Sequence, residues 1–239
     1  MLNYKQVQNQ TFLQVTQNCN LKCSFCPLWN KRNLNSDNLV SVIQNNSFFQ
    51  NYPLVDTYNI IGGDPLMFSD LVFILSYLKS KNRKIRLWTN SVFGVDYFEQ
   101  LTNLVDEYVL YAPSVIPDYY NEFTGAAIFS EFEESLSYLV DEGERVLLNY
   151  PIIPENVPDL ADIYEYAYDK NLHLIMHYSK YDTYSADSVA FIKRFYKIKN
   201  VSLFQETIYN PGVCRAIPMR AFLMHRYHCY NYIREKLPF

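Results

Sequence analysis

Glycine is scarce in this chain. Six glycines in 239 residues, against an ordinary usage of about 7%, exclude collagen-like or glycine-rich low-complexity structure. Cysteine is sparse too, at five. The N-terminal M-L-N-Y-K-Q-V-Q-N-Q lacks the apolar core of a secretory signal. A disulfide framework is therefore not expected, and a reducing, cytoplasmic setting is. No apolar run approaches the roughly 18 residues of a transmembrane helix, so no membrane span is expected. Basic residues do not dominate: 21 Lys and Arg against 25 Asp and Glu give a net charge of −4. That is no electrostatic footprint for nucleic acid or an anionic membrane. There is no internal repeat at a fixed period and no low-complexity tract beyond local asparagine enrichment at Asn30 to Asn51.

What is present is a globular composition, 49% hydrophobic and 19% charged, with 17% aromatics led by 22 Tyr. The length suits one domain with a full core. Short apolar runs alternate with amphipathic stretches, the pattern of a parallel α/β sheet. Strands are expected at Phe12–Thr16, Thr57–Ile61, Ile85–Thr89, Tyr108–Tyr111, Val146–Tyr150 and Leu172–His177. Helices are expected at Asp37–Asn46, Ser69–Lys81, Val95–Val105, Ser130–Glu142, Asp159–Lys170 and Ala186–Lys197. Ser36 and Ser69 are placed to cap helix starts, and Pro158-Asp159 suits a helix entry. Six βα units with right-handed crossovers make either an open, incomplete barrel or a flat doubly wound sheet, and length does not separate the two.

Three of the five cysteines fall within eight residues, C-N-L-K-C-S-F-C, as Cys19, Cys23 and Cys26. Packing does not ask for that. Soft thiolates select iron–sulfur clusters, zinc or copper(I). Structural zinc and ordinary iron–sulfur sites take four protein ligands, so a local set of three leaves one position open to a substrate or cofactor. The competing reading is a zinc knuckle whose fourth ligand, a His or a distant Cys, comes from elsewhere. On spacing alone both stand.

The Cys-x3-Cys-x2-Cys spacing, with Phe25 before the third cysteine, resembles the cluster loop of the radical S-adenosylmethionine (SAM) superfamily. The resemblance continues through N-I-I-G-G-D-P-L-M (Asn59 to Met67), similar to the family's Gly-Gly-Glu-Pro segment with Asp64 for Glu. It extends through L-W-T-N (Leu87 to Asn90), Y-N-E-F-T-G (Tyr120 to Gly125) and N-Y-P-I-I-P-E-N-V (Asn149 to Val157). In order, it covers about Thr11 to Tyr181. It implies a partial (β/α)6 barrel of parallel strands over residues 1–205, with a short C-terminal extension over 206–239. It implies a [4Fe–4S] cluster on Cys19, Cys23 and Cys26, whose remaining iron is chelated by the amino and carboxylate groups of SAM. Phe25 would lie near the adenine. Gly62 and Gly63 would offer backbone carbonyls to the SAM amino group, with Asp64, Thr89, Asn90 and Asn149 as further cofactor contacts. The activity implied is reductive SAM cleavage to a 5′-deoxyadenosyl radical that abstracts hydrogen from a peptide or small molecule. A flavodoxin- or ferredoxin-like protein would supply the electron.

Most of these residues also admit plainer readings: a tight turn at Gly62-Gly63, turn residues at Thr89-Asn90, a local cap at Asn149, a core aromatic at Phe25. His177 reads as a strand-end histidine. No side-chain acid or base stands out. The family's polar strand-four ending is replaced by Tyr111-Ala112-Pro113, with Ser114 the nearest polar substitute. In the tail, Cys214 and Cys229 are ordinary thiols, ligands of an auxiliary cluster, or zinc ligands with His225 or His228. Two cysteines are few for a second cubane, which favours a single cluster. Arg215, Arg220 and Arg226 accompany them. Barely ten residues precede strand one, so no leader-peptide-binding or cobalamin-type domain is expected there. The rival functions are an activase that makes a glycyl radical on a partner, and a non-catalytic zinc-binding interaction module.

Overall fold

A computed structural model describes residues 9–26, 39–52, 54–179, 185–194, 201–206 and 217–218. Its centre is an eight-stranded sheet formed by β1 (Gln10–Gln14), β2 (Thr57–Ile61), β3 (Lys84–Thr89), β4 (Glu107–Tyr111), β5 (Val146–Ile152), β6 (His173–Ser179), β7 (Val201–Glu206) and β8 (Ile217–Pro218). The spatial order is β7-β6-β5-β4-β3-β2-β1-β8. Strands β1 to β7 are parallel, and β8 pairs antiparallel with β1 through Thr11↔Pro218 and Phe12↔Ile217.

That consecutive order decides between the two architectures the sequence left open. In a doubly wound sheet the strand order reverses and helices cover both faces. Here every crossover steps to the next neighbour, and right-handed crossovers then put all the helices on one side. The sheet is a partial barrel, as expected. It exceeds six strands by β7 and the two-residue β8, which lies within the stretch expected as a C-terminal extension.

Burial follows the same division. The helix-facing residues Leu13, Tyr58, Ile60, Ile85, Leu87, Tyr108, Leu110, Leu148, Tyr150, Leu174 and Met176 belong to one continuous core. Helix α3 (Leu71–Ser80) meets it with Leu71, Ile74, Leu75 and Leu78, the i, i+3, i+4, i+7 stripe of a half-buried helix. Helices α6 (Phe129–Asp141) and α7 (Leu160–Asp169) do the same with Phe132, Leu136 and Leu139, and with Leu160, Ile163 and Ala167. The opposite face is mixed. Its middle is a small apolar cluster of Val109, Leu147 and Ile175 against Trp88. Trp88 Nε1 donates to Asn59 Oδ1 at 3.1 Å. At the amino ends of the strands, Arg86 and Arg145 both pair with Glu107.

The shorter elements are α1 (Leu39–Gln44), α2 (Phe48–Asn51), α4 (Val95–Glu99), α5 (Pro117–Thr124) and α8 (Ala186–Arg194). Three expectations need correction. The helix expected over Val95–Val105 stops at Glu99. Ser69 does not cap α3: the capping position is Asp70, and Ser69 Oγ donates instead to Asp70 Oδ2 at 3.4 Å. Pro158 lies inside a 3-10 segment, Pro154–Asp159, and α7 begins only at Leu160. Helix α5, read beforehand only as a motif, starts with Pro117 at its first turn and ends on Gly125 at φ 71°, where a glycine avoids the left-handed penalty. No helix among the described residues is long and apolar enough to cross a membrane.

Leu148 is wholly buried in β5, whose seven residues are all buried. Leu148→Ala should cost about 3 kcal/mol, from lost transfer energy plus a residual cavity. Urea unfolding should show a lower midpoint at unchanged slope.

Candidate functional site

The site begins where β1 continues past its last residue across the end of β2. Val15 N donates to Ile61 O (2.9 Å), Gly63 N to Thr16 O (3.0 Å) and Asp64 N to Asn18 O (2.6 Å). The two backbones run so close that side chains do not fit between them. A Cβ on Gly63 would lie 2.3 Å from Asn18 O and 2.5 Å from Gln17 O, and one on Gly62 would lie 2.9 Å from Thr16 O. Neither glycine has positive φ, unlike Gly94, Gly125 and Gly143. Close approach, not a left-handed turn, is what these two positions require.

Asp64 follows directly, 1% exposed. Its Oδ1 accepts from Leu66 N at 2.9 Å, and its Oδ2 from Asn90 N at 2.7 Å. Thr89 Oγ1 donates to both oxygens, at 3.0 and 2.9 Å, and accepts from Ser91 N at 3.0 Å. Asp64 and Thr89 thus spend their polar atoms on each other and on the loop backbone. Burial pushes the Asp64 carboxyl up to about 6, while the N–H groups of Asn90 and Leu66 and the Thr89 hydroxyl pull against it.

Asn90 carries this frame to the cysteines. Its Oδ1 accepts from Val92 N at 3.1 Å, which assigns the amide orientation. Its Nδ2 therefore donates to Asn20 Oδ1 at 2.7 Å and to Cys19 Sγ at 3.6 Å. Leu21 N adds a second N–H to Cys19 Sγ at 3.4 Å. Asn20, which no sequence motif singled out, also donates to Val92 O at 3.1 Å.

The rest of the cysteine loop is docked on α5 by backbone bonds. Lys22 N donates to Thr124 O (3.3 Å) and Ser24 N to Phe123 O (3.0 Å), while Cys26 N donates to Cys23 O (3.0 Å) in a tight turn. Cys23 is buried, and Cys19 and Cys26 are half-buried. Phe25 lies between Tyr111 (ring centroids 5.8 Å) and Phe123 (6.5 Å). Among the described residues, no three His, Cys, Asp or Glu side chains converge on one point as ligands of a single metal ion must. A cubane asks less, since each thiolate binds a different iron.

Further round the rim, Asn149 lies beside Tyr111 in register, and its Oδ1 is 2.9 Å from His177 Nδ1. Ser114 is fully buried; its Oγ donates to Asp159 Oδ2 at 3.4 Å and accepts from Ile116 N at 3.1 Å. Asn156, likewise buried, ties its loop to the segment after β4 and back to the end of β5 by donating to Pro113 O and Pro151 O at 2.9 and 2.8 Å. The structure therefore gathers Cys19, Gly62, Gly63, Asp64, Thr89 and Asn90 into one bonded unit. Phe25 and the Asn149–His177 pair lie round the same rim. Cys214 and Cys229, with His225 and His228, lie outside the described residues.

The donor set fits an iron–sulfur cluster. Three thiols stand on one loop, and one sulfur already accepts two N–H bonds of the kind that set cluster potentials. Residues 13–167 match the family model described as the radical SAM superfamily, and the chain belongs to that superfamily. The [4Fe–4S] cluster and SAM are the cofactors this membership implies, and the loop carrying Cys19, Cys23 and Cys26 is where the cluster would sit.

Among curated relatives, it is 25% identical over 163 residues to a probable GTP 3',8-cyclase of Methanococcus maripaludis, covering 65% of this chain and 54% of that protein. It is 25% identical over 173 residues to one of Sulfolobus acidocaldarius, covering 68% and 54%. The chain spans about half the length of these relatives. Among solved structures, Streptococcus suis SuiB bound to S-adenosylmethionine superposes with a TM-score of 0.63 at 14% identity, over 84% of this chain and 51% of that one. SuiB bound to precursor peptide SuiA gives 0.60 at 16%, over 95% and 46%. The enzyme anSMEcpe with bound AdoMet and the Kp18Cys peptide gives 0.61 at 14%, over 79% and 60%. At such identities the likeness concerns the fold.

Two outcomes are expected of the apo-protein. Gly63→Ala forces backbone apart and should prevent cooperative folding or lower the urea midpoint sharply, unlike Gly143→Ala, where a Cβ meets nothing within 4 Å and only the positive φ is strained. The Asp64 carboxyl titrates near 6, above its ordinary range. Its contribution to stability is therefore full below about pH 4 and is lost as pH rises through about 6. The loss amounts to about 3 kcal/mol, at the ~1.4 kcal/mol carried by a tenfold change in proton affinity. Urea unfolding at stepped pH should show this fall in the wild type and not in Asp64→Asn. Equal pH slopes would refute it.

Proposed function

We propose that this chain uses SAM to make a substrate radical, and that the substrate is a peptide or a small molecule, with a peptide favoured. The observation favouring a peptide is that two neighbours in fold hold peptides: SuiB bound to precursor peptide SuiA and anSMEcpe with the Kp18Cys peptide, which support the reading by analogy.

When bound, the cluster and SAM supply one-electron cleavage of a carbon–sulfur bond and a hydrogen-abstracting 5′-deoxyadenosyl radical. The chain's part is holding and orienting. Cys19, Cys23 and Cys26 are the ligands. Gly62 and Gly63 let the backbone of residues 16–18 close over β2, presenting main-chain polar atoms where side chains would intrude. Asn90 and Asn149 offer amides to SAM, and Phe25 presents a ring face for its adenine. Asp64 and Thr89 act by holding Asn90. A flavodoxin- or ferredoxin-like protein supplies the electron. The second reading is an activase that makes a glycyl radical on a partner protein.

Anaerobic reconstitution should give a brown protein with about four irons per chain, as expected for one [4Fe–4S] cluster. Under a strong reductant it should cleave SAM. Replacing all three cysteines by Ala should abolish both. Stoichiometric zinc with no cleavage would promote a zinc-binding interaction module instead. Co-expression with neighbouring open reading frames, read by mass spectrometry, should reveal a modified peptide; capture of a glycyl-radical partner would favour the activase.

A further inference from the structure

The Asn90 side chain is held from three sides, and one of its N–H groups faces a cysteine sulfur. An amide nitrogen carries two hydrogens. Here they serve Asn20 Oδ1 at 2.7 Å and Cys19 Sγ at 3.6 Å. Asn90 Oδ1 accepts from Val92 N at 3.1 Å, and its backbone N donates to Asp64 Oδ2 at 2.7 Å. Asn20 is pinned in turn, its Nδ2 donating to Val92 O at 3.1 Å. Asn90 is buried, so rotating the donor away from Cys19 would break these bonds with no water to replace them.

The other contacts of Cys19 Sγ show which form of the sulfur this arrangement suits. As a thiol it donates to Asn20 Oδ1 at 3.8 Å, and it accepts from Leu21 N at 3.4 Å. A metal takes the thiolate, so the proton leaves and the donation to Asn20 ends. The N–H groups of Asn90 and Leu21 remain, and a donor bonds a charged acceptor more strongly than a neutral one. Hydrogen bonds to cluster sulfurs are among the factors that set reduction potential. Reduction adds negative charge, and a fixed donor favours the more negative state.

We infer that Asn90 is a positioning residue for the cluster: its amide N–H, fixed by Asn20, Val92 and Asp64, bonds Cys19 Sγ and makes the bound cluster easier to reduce. This is separate from any contact with SAM, for which Oδ1 keeps a second lone pair. It rests on Cys19, Cys23 and Cys26 holding a cluster. Asp64 reaches the sulfur through Asn90, by way of the backbone bond that sets the amide in place.

The test is an EPR-monitored redox titration of the reconstituted full chain without SAM, so that only the cluster is read. Asn90→Ala removes the donor and adds no charge. Its cluster should be harder to reduce by about tenfold in the equilibrium, a shift of roughly 59 mV to lower potential for one electron. Asn90→Asp keeps an oxygen for Val92 N and turns a carboxylate oxygen towards Cys19, so its shift should be larger in the same direction. Both should keep the wild-type iron content. Asn149→Ala, on the same rim but bonded to His177, should leave the potential in place. Unchanged potentials in both Asn90 variants, or an equal shift in Asn149→Ala, overturn the inference while the cluster reading stands. So does loss of iron from both variants with native circular dichroism, since Asn90 would then build the site instead of tuning it. A wild type that takes up no iron overturns both readings.

Discussion

The buried carboxylate of Asp64 is the constraint on which the site depends. One side chain with almost no exposure closes the loop after β2 onto Leu66 N and the loop after β3 onto Asn90 N. A buried charge or carboxyl without partners is costly, so the fold must bring those donors to it. Once they are there, Asn90 has little freedom left: its backbone is held by Asp64, its Oδ1 by Val92 N, and its Nδ2 faces Asn20 and Cys19. The position of one cysteine sulfur is thus fixed from 45 residues further along the chain, through an acid that touches no cysteine itself.

The sheet explains why these loops can meet at all. Parallel strands in consecutive order deliver every loop after a strand to the same edge. The inner face is then graded along the strands. The Arg86–Glu107–Arg145 group lies at one end, Val109, Leu147, Ile175 and Trp88 form the middle, and Asn149 and His177 stand at the other. The Arg86–Glu107–Arg145 charges are thereby kept at the amino ends of the strands, and the apolar middle separates them from the rim.

Much of this was legible in the chain, and for identifiable reasons. Parallel strands buried on both faces read as apolar runs, and Thr57–Ile61 has the boundaries that its run suggested. The cysteine spacing was equally plain. What was not legible is what depends on contacts remote in sequence. Glycines that looked like a turn are required by the carbonyls of Gln17 and Asn18. Helix α5 is short, polar on average and opened by Pro117, so no periodicity announced it, yet its last turn carries the cysteine loop. Strand β8 pairs over only two residues, too few to leave a pattern.

The way the cysteine loop is held bears on how metal and fold are coupled. Small zinc domains have no formed site without metal, so binding energy and folding energy are the same quantity. Here the loop is fastened by backbone bonds at both ends, Asn18 O to Asp64 N on one side and Lys22 N and Ser24 N to α5 on the other. None of these bonds uses a sulfur. The core under the loop is continuous and apolar. The chain's own backbone thus contributes to the loop's shape, sulfur ligation would add to it, and the N–H groups of Leu21 and Asn90 on Cys19 Sγ are placed to tune a bound group.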